Sequence, residues 1–334
     1  MPKYLILEPE LDQSISIAKI LKKHLPEVKL YGGYIKRLNK LSFFINKSSY
    51  FDAYIEADYS NHEFFNKFDI VIPTGADSTE RYLKLFESIE LGDVVFSAKN
   101  LITANKKEMC KIVTEVGVPH PKTFYSFKEV NSLPVFYKSA YENIPRKTNG
   151  LINNESQLKK IDFKKFLIQE YIEGNSTFGV AFIAHEGDLI CSTTHEEKLS
   201  FPSTGGSAAI ISKIHNERLI NLTQKIIKHI EYSGWGLAEF KYCQKRKDFV
   251  FMEINPKFWA SVDFSMINNK DFAHRLFNIN LNTKPYKSAV YLNRLLGLFF
   301  FQYAKFLPHI LKSKKIIISG KKIVFYFFKK FIPV

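Results

Sequence analysis

Two short apolar segments, residues 237–243 and 249–254, flank the polar turn Gln244-Lys245-Arg246-Lys247-Asp248 and read as a β-hairpin. Side chains alternate faces along a strand, so Glu253, Asn255 and Lys257 share one face while the chain stays extended. Glu239 reaches that face from the partner strand. Acids on a hairpin are ordinarily a solvated edge. Here the flanks Phe249-Val250-Phe251-Met252 and Gly236-Leu237-Ala238 are apolar, and a carboxylate buried without a partner is costly. Two Glu oxygens and an Asn oxygen are hard donors that suit Mg²⁺, an ion that keeps several waters and completes its octahedron with phosphate oxygens. The pattern points to a Mg-nucleotide site.

A chain of 334 residues, 46% apolar, is long enough for two or three packed subdomains. Cys110, Cys191 and Cys243 are odd in number, widely spaced and without a Cys-x-x-Cys pair. That favours a reducing compartment and argues against a disulfide framework or a zinc site. The apolar run at residues 3–7 is cut off by Glu8, Glu10 and Asp12 and reads as a first strand, not a signal peptide, so a cytoplasmic protein is expected. The net charge of +15 is unevenly placed: no Asp or Glu follows Asp271, and residues 272–334 hold twelve Lys and Arg, leaving +3 for the remainder. Basic character confined to one end does not identify a nucleic-acid partner, and none is expected.

Residues 3–7, 28–31 and 68–73 are strand-like, and residues 14–24 and 80–89 have helical spacing. This βαβ rhythm predicts a small parallel sheet covered by helices. No Gly-x-Gly-x-x-Gly occurs, so dinucleotide binding is not expected. Further on, Lys106 opens a helix that ends at Gly117, and the apolar run 133–137 ends in Lys138. Residues 166–172 form a strand entering the turn Glu173-Gly174. Residues 178–184 and 189–194 pair across His185-Glu186-Gly187-Asp188 and lead into a polar loop from His195 through Lys198 to Gly205-Gly206-Ser207.

Glu239, Glu253, Asn255, Pro256 and Lys257 together resemble the metal-binding signature of the ATP-grasp enzymes: a Glu on one strand, Glu-x-Asn on the next, then Pro and a basic residue. The family's usual Arg is Lys257 here, which keeps the charge and loses the bidentate fork. The likeness is strong over residues 105–261 and looser before them, and is nearest the biotin-carboxylase-like and carbamoyl-phosphate-synthetase-like branch. It implies an α/β chain, α+β in its nucleotide-binding part. Residues 1–98 would be a pre-ATP-grasp domain that helps hold the non-nucleotide substrate. Residues 99–285 would be the ATP-grasp domain, with a small lid subdomain over about 99–165 and a metal and nucleotide subdomain over about 166–285. Residues 286–334 would be a basic, aromatic tail.

By the same resemblance the cofactors are ATP and Mg²⁺, with Mn²⁺ able to substitute, and the metal ligands are Glu239, Glu253 and Asn255. Lys106 and Lys138 would approach the phosphates. Gln169 would lie near the base, and Glu170 and Ile172 would offer backbone groups to adenine. Glu173 would replace the family's ribose-binding Glu, since Ser176 stands near that point. Lys257 and Lys198 are the catalytic candidates, Lys257 for the substrate carboxylate and Lys198 for the carboxylate or acyl phosphate from a gating loop. His195 reads as structural. Asn105 replaces the usual Asp before Lys106, and residues 139–150 keep only Gly150 of the family's glycine-rich lid, with Arg146 and Lys147 available as charge. The implied activity is an ADP-forming ligase that activates a small-molecule or glycan carboxylate as an acyl phosphate and passes it to an amine, in a protein expected to form homodimers. Two alternatives stand beside it: a bicarbonate-activating enzyme, and a nucleotide-binding scaffold in which the altered lid has removed turnover.

The tail carries a separate signal. Residues 294–301 and 323–331 interleave Phe with Lys and Arg and contain no acid. Each apolar run is far shorter than the roughly 20 residues a bilayer requires. Such a composition suits an interfacial segment on anionic lipid at the inner face of a membrane, with a lipid-linked glycan precursor as substrate. The plainer reading is a tail packed on the enzyme body with its lysines solvated.

Overall fold

The computed structural model describes residues 1–35, 48–141, 149–174, 176–201, 207–291, 294 and 315–317. Part of the expected lid (142–148), part of the expected gating loop (202–206) and most of the tail lie outside the described residues.

Four parallel strands open the chain: β1 (Lys3–Leu7), β2 (Lys29–Tyr34), β3 (Ala53–Glu56) and β4 (Ile70–Pro73), in the order β3-β2-β1-β4. Leu5, Ile6 and Leu7 are fully buried, as an uninterrupted apolar run must be in a central parallel strand covered on both faces. Helix α1 (Asp12–His24) buries Ile17, Ala18 and Leu21 and ends on Lys22, Lys23 and His24, cations that suit the negative end of its dipole. The helix expected over 80–89 is α2 (Ala76–Phe86). It stops because Glu87 turns left-handed at φ 60°, and the chain enters β5 (Ser88–Leu91), which pairs with β6 (Val94–Ser97).

The strand order reverses direction at β1, so the crevice beyond the carboxyl ends of β1 and β4 is a topological switch point, where ligands bind in open α/β sheets. Glu8 sits there at φ 57°, and its Oε2 accepts from the Ser78 N–H at 3.0 Å in the first turn of α2. Gly75 makes room for it: a Cβ at that position would lie 2.0 Å from Glu8 Oε2.

A small antiparallel sheet follows, β7 (Thr123–Phe124), β8 (Val135–Ser139), β9 (Asn149–Ile152) and β10 (Phe166–Glu170), in the order β7-β10-β8-β9. The largest sheet contains β11 (Thr177–His185), β12 (Asp188–Phe201), β13 (Ser207–Ile214), β14 (Gly234–Cys243), β15 (Asp248–Asn255), β16 (Ser288–Tyr291) and β17 (Lys315–Ile317), in the order β15-β14-β11-β12-β13-β16-β17. Helix α3 (Lys106–Glu115) contributes Met109, Ile112 and Val113 to the core. Helix α4 (Glu217–His229) contributes Leu219, Leu222, Ile226 and Ile227, spaced three and four apart on one face. Burial of each such side chain contributes about 1.5–3 kcal/mol. Among the described residues no helix is long and apolar enough to cross a membrane.

Candidate active site

The hairpin that carries the acids forms, but not in simple register. Cys243 pairs with Asp248 and Phe240 with Phe251, and the register then shifts, so that Glu239 faces Glu253. Unbroken pairing would have set Glu239 opposite Met252 and turned Glu253 away. A β-bulge adds one residue and inverts the parity beyond it. Here it brings the two carboxylates to one face, with Asn255 opposite Leu237 further along. At the bulge the Met252 carbonyl accepts from Lys138 Nζ at 3.0 Å.

Lys138 stands on β8, 4.0 Å from Glu253 Oε2. Lys106, at the start of α3, donates to the same oxygen at 2.6 Å. Both lysines are only 9% exposed. Asn105 Oδ1 accepts from the Glu108 N–H at 3.2 Å and caps α3, whose first residue is Lys106. Lys257 Nζ donates to Asn255 Oδ1 at 3.3 Å.

Burial, then the facing carboxylates of Glu253 and Glu197, push the Glu239 carboxyl well above the usual range against the pull of Lys257 and Lys106. Burial lowers the Lys138 ammonium, and Lys106 adds to that, while Glu253 opposes it. Glu197, Glu239 and Glu253 share this face. Two of them plus the Asn255 amide form a hard oxygen set that fits Mg²⁺. Among the described residues no three His, Cys, Asp or Glu side chains are placed to hold a metal ion by themselves.

Glu197 was not singled out by the sequence reading, which chose Lys198. Lys198 comes from the resemblance; Glu197 emerges from the register of β12. The Glu186-Gly187 turn fixes His185 opposite Asp188, but the register shifts between Ile183 and Ala184, so Gly179 faces His195 and Thr177 faces Glu197. Gly179 also faces Glu239 across β14. His195 and Glu197 therefore share the face of Glu239, while Glu196 lies on the other face and pairs with Lys198. The structure thus does not bring Lys198 to the carboxylates. His195 is fully buried against Gly179, where a Cβ would come within 2.4 Å of its ring. Lys241 lies on this face as well, in the row of Thr177, and Nζ donates to the Gly174 carbonyl at 3.4 Å.

The remaining predicted residues lie along the strand β10 and the segment after it. Gln169 is 4% exposed and Nε2 donates to Thr123 Oγ1 at 3.2 Å and Cys110 Sγ at 3.5 Å. It lines a narrow cavity with Thr103, Lys106, Cys110, Met252 and Glu253. Ile172 is buried with Cys243 and Val250, and Met252 packs against them, an apolar wall next to the bulge. The Glu170 N–H is engaged by the Lys122 carbonyl at 2.8 Å, so an adenine contact from this residue would use its carbonyl. Its side chain is engaged by Arg246. Glu173 is exposed where the chain leaves this segment.

No protein-family model and no curated protein sequence matches this chain. Solved structures do. N5-carboxyaminoimidazole synthetase from Staphylococcus aureus complexed with ADP superposes with a TM-score of 0.59 at 13% identity, over 92% of this chain and 86% of that one. Biotin carboxylase from Campylobacter jejuni, in a β-γ-ATP complex, gives 0.57 at 15% identity over 85% and 73%. L-amino acid ligase from Bacillus licheniformis gives 0.55 at 10% identity over 79% and 69%. At such identities the likeness speaks for the architecture, and it agrees with the signature on β14 and β15: the chain has the ATP-grasp fold.

Proposed function

We propose that the chain is an ATP-dependent, ADP-forming ligase that activates a carboxylate as an acyl phosphate and transfers the acyl group to an amine. The observation that carries this reading is the facing pair Glu239–Glu253 with Asn255 beside it and the Lys106 and Lys138 ammoniums against Glu253. Glu239, Glu253 and Asn255 would hold Mg²⁺, which supplies charge neutralisation for the terminal phosphates. Lys106 and Lys138 neutralise charge that develops on the transferred phosphoryl group, the main contribution a protein makes to this chemistry. Ile172 and Met252 wall the base, with Gln169 at its edge. Lys257 holds the attacking carboxylate near the γ-phosphate, and the amine then displaces phosphate from the acyl phosphate. No covalent nucleophile is required, because positioning carries the rate.

The crevice at Glu8 opens beyond the carboxyl ends of β1 and β4. A non-nucleotide substrate is proposed to enter there. An ¹⁸O-labelled carboxylate tests the reaction: one label should appear in the released phosphate, and label confined to the product would rule out acyl-phosphate chemistry. The acid-free tail supports a narrower proposal, peripheral contact with anionic membrane and a glycan carboxylate as donor. Sedimentation with vesicles containing phosphatidylserine, before and after removal of residues 318–334, decides that part.

A further inference from the structure

Arg294 is 3% exposed, and its guanidinium is held almost entirely by groups remote in sequence. Nε and Nη2 both donate to Asp12 Oδ2, at 3.1 and 2.7 Å. Nη1 donates to the Ala208 carbonyl, and Nη2 also reaches the Ala260 carbonyl at 3.3 Å. The guanidinium carbon lies 4.2 Å from the centre of the Tyr291 ring, whose hydroxyl donates to Asp263 Oδ1 at 3.2 Å. A buried ion pair is worth its desolvation only when the geometry is good and the other donors are satisfied. Here the planar fork meets an acid, two carbonyls and a ring face, which a lysine could not do.

The three segments it joins are informative. Asp12 opens α1, directly after the crevice residues from Glu8 onward. Ala208 lies at the start of β13. Ala260 lies three residues beyond Lys257. On the ligase reading, each segment borders the non-nucleotide substrate. Among the described residues, the partners of Arg294 are Asp12, Ala208, Ala260 and Tyr291.

We infer that Arg294 is a positioning residue that fixes the carboxylate side of the cleft by tying together the crevice loop, the start of β13 and the turn that carries Lys257. Its consequence for turnover rests on the proposed function; the tying of the three segments does not.

Hydrogen exchange of the full chain, wild type against Arg294→Lys and Asp12→Asn, separates the two. In Arg294→Lys, amides at residues 8–14, 207–211 and 256–261 should exchange about tenfold faster or more, as loss of a charge-assisted network implies. Residues 237–243 should keep the wild-type rate, and Mg-ATP affinity should stay within about twofold. Asp12→Asn, which keeps the guanidinium, should loosen residues 8–14 foremost. With a carboxylate that stimulates ADP release, Arg294→Lys should raise its KM about tenfold and change kcat less than about threefold. A uniform rise that includes residues 237–243 would make Arg294 an ordinary core residue, and unchanged exchange in the three segments would remove the inference. If no carboxylate stimulates ADP release, the ligase reading falls while the exchange pattern still decides this one.

Discussion

Replacing Glu239 with Gln preserves side-chain size and removes one charge, so it separates the stability of the empty site from its use. Glu239 faces Glu253 directly across the ladder, a relation that sets Cβ atoms about 5 Å apart. Two carboxylates about 5 Å apart repel by about 3 kcal/mol at an effective dielectric constant of about 20. Lys106, 2.6 Å from Glu253, and the nearby Lys257 offset roughly half of that. The net relief is about 1–2 kcal/mol, the scale of other stabilising substitutions at functional sites. The sign follows from the raised carboxyl. Folding favours its protonated form, so its contribution is fully present below the ordinary carboxyl range and is lost as pH rises through the raised value. At pH 8 in EDTA, Glu239→Gln should therefore melt roughly 2–4 °C above wild type, and the gap should close toward pH 4. Mg-ATP at about 100 times its Kd should add about 2.7 kcal/mol to the wild type and little to the variant. A lower melting temperature for the variant in EDTA, or equal stabilisation of both proteins by Mg-ATP, would refute the reasoning.

Other consequences follow from the same geometry. Burial lowers the Lys138 ammonium, so nucleotide affinity should fall with rising pH before the ordinary lysine range near 10.4 is reached. Lys138→Met should bind about a hundredfold more weakly with little pH dependence; a fluorescent ATP analogue titrated between pH 7 and 10 measures both. Gly179→Ala would press a methyl group onto the fully buried His195 ring and should cost about 1–3 kcal/mol in urea unfolding; an unchanged midpoint would mean that the ring moves freely. Because the β12 bulge puts Glu197, not Lys198, on the face of Glu239, Lys198→Ala should leave carboxylate-stimulated ADP release within about threefold, whereas Glu197→Ala should alter its Mg²⁺ dependence. The opposite ranking would place the substrate on the other side of that strand.

Much of this was readable before any coordinates. The apolar flanks around Glu239 and Glu253 pointed to carboxylates emerging from packed strands, and both are half-buried; Lys138 was singled out only through the family resemblance, and its burial came from the structure. Asn105 before Lys106 still caps its helix. What sequence could not supply was parity. Two bulges, one at Met252 and one near Ile190, each invert the faces beyond them. The first makes the Glu239–Glu253 pair, and the second puts Glu197 on the face of Glu239. Neither Met252 nor Ile190 is the Gly that commonly marks a bulge, so alternation alone would not place Glu197 on that face. Arg294 was legible only as one cation in a basic tail, because its acid partner lies 282 residues away. Glu8 looked like the end of a first strand, and only the β3-β2-β1-β4 order makes its position a switch point.

The central claim is that the carboxylates on β14 and β15 serve phosphoryl transfer to a carboxylate. ADP release from Mg-ATP, measured against a panel of amino acids, sugar acids and bicarbonate with Glu253→Gln in parallel, tests it most directly. The account predicts release that depends on one carboxylate and disappears in Glu253→Gln. Nucleotide binding without turnover across the whole panel, or turnover unchanged in Glu253→Gln, would contradict it.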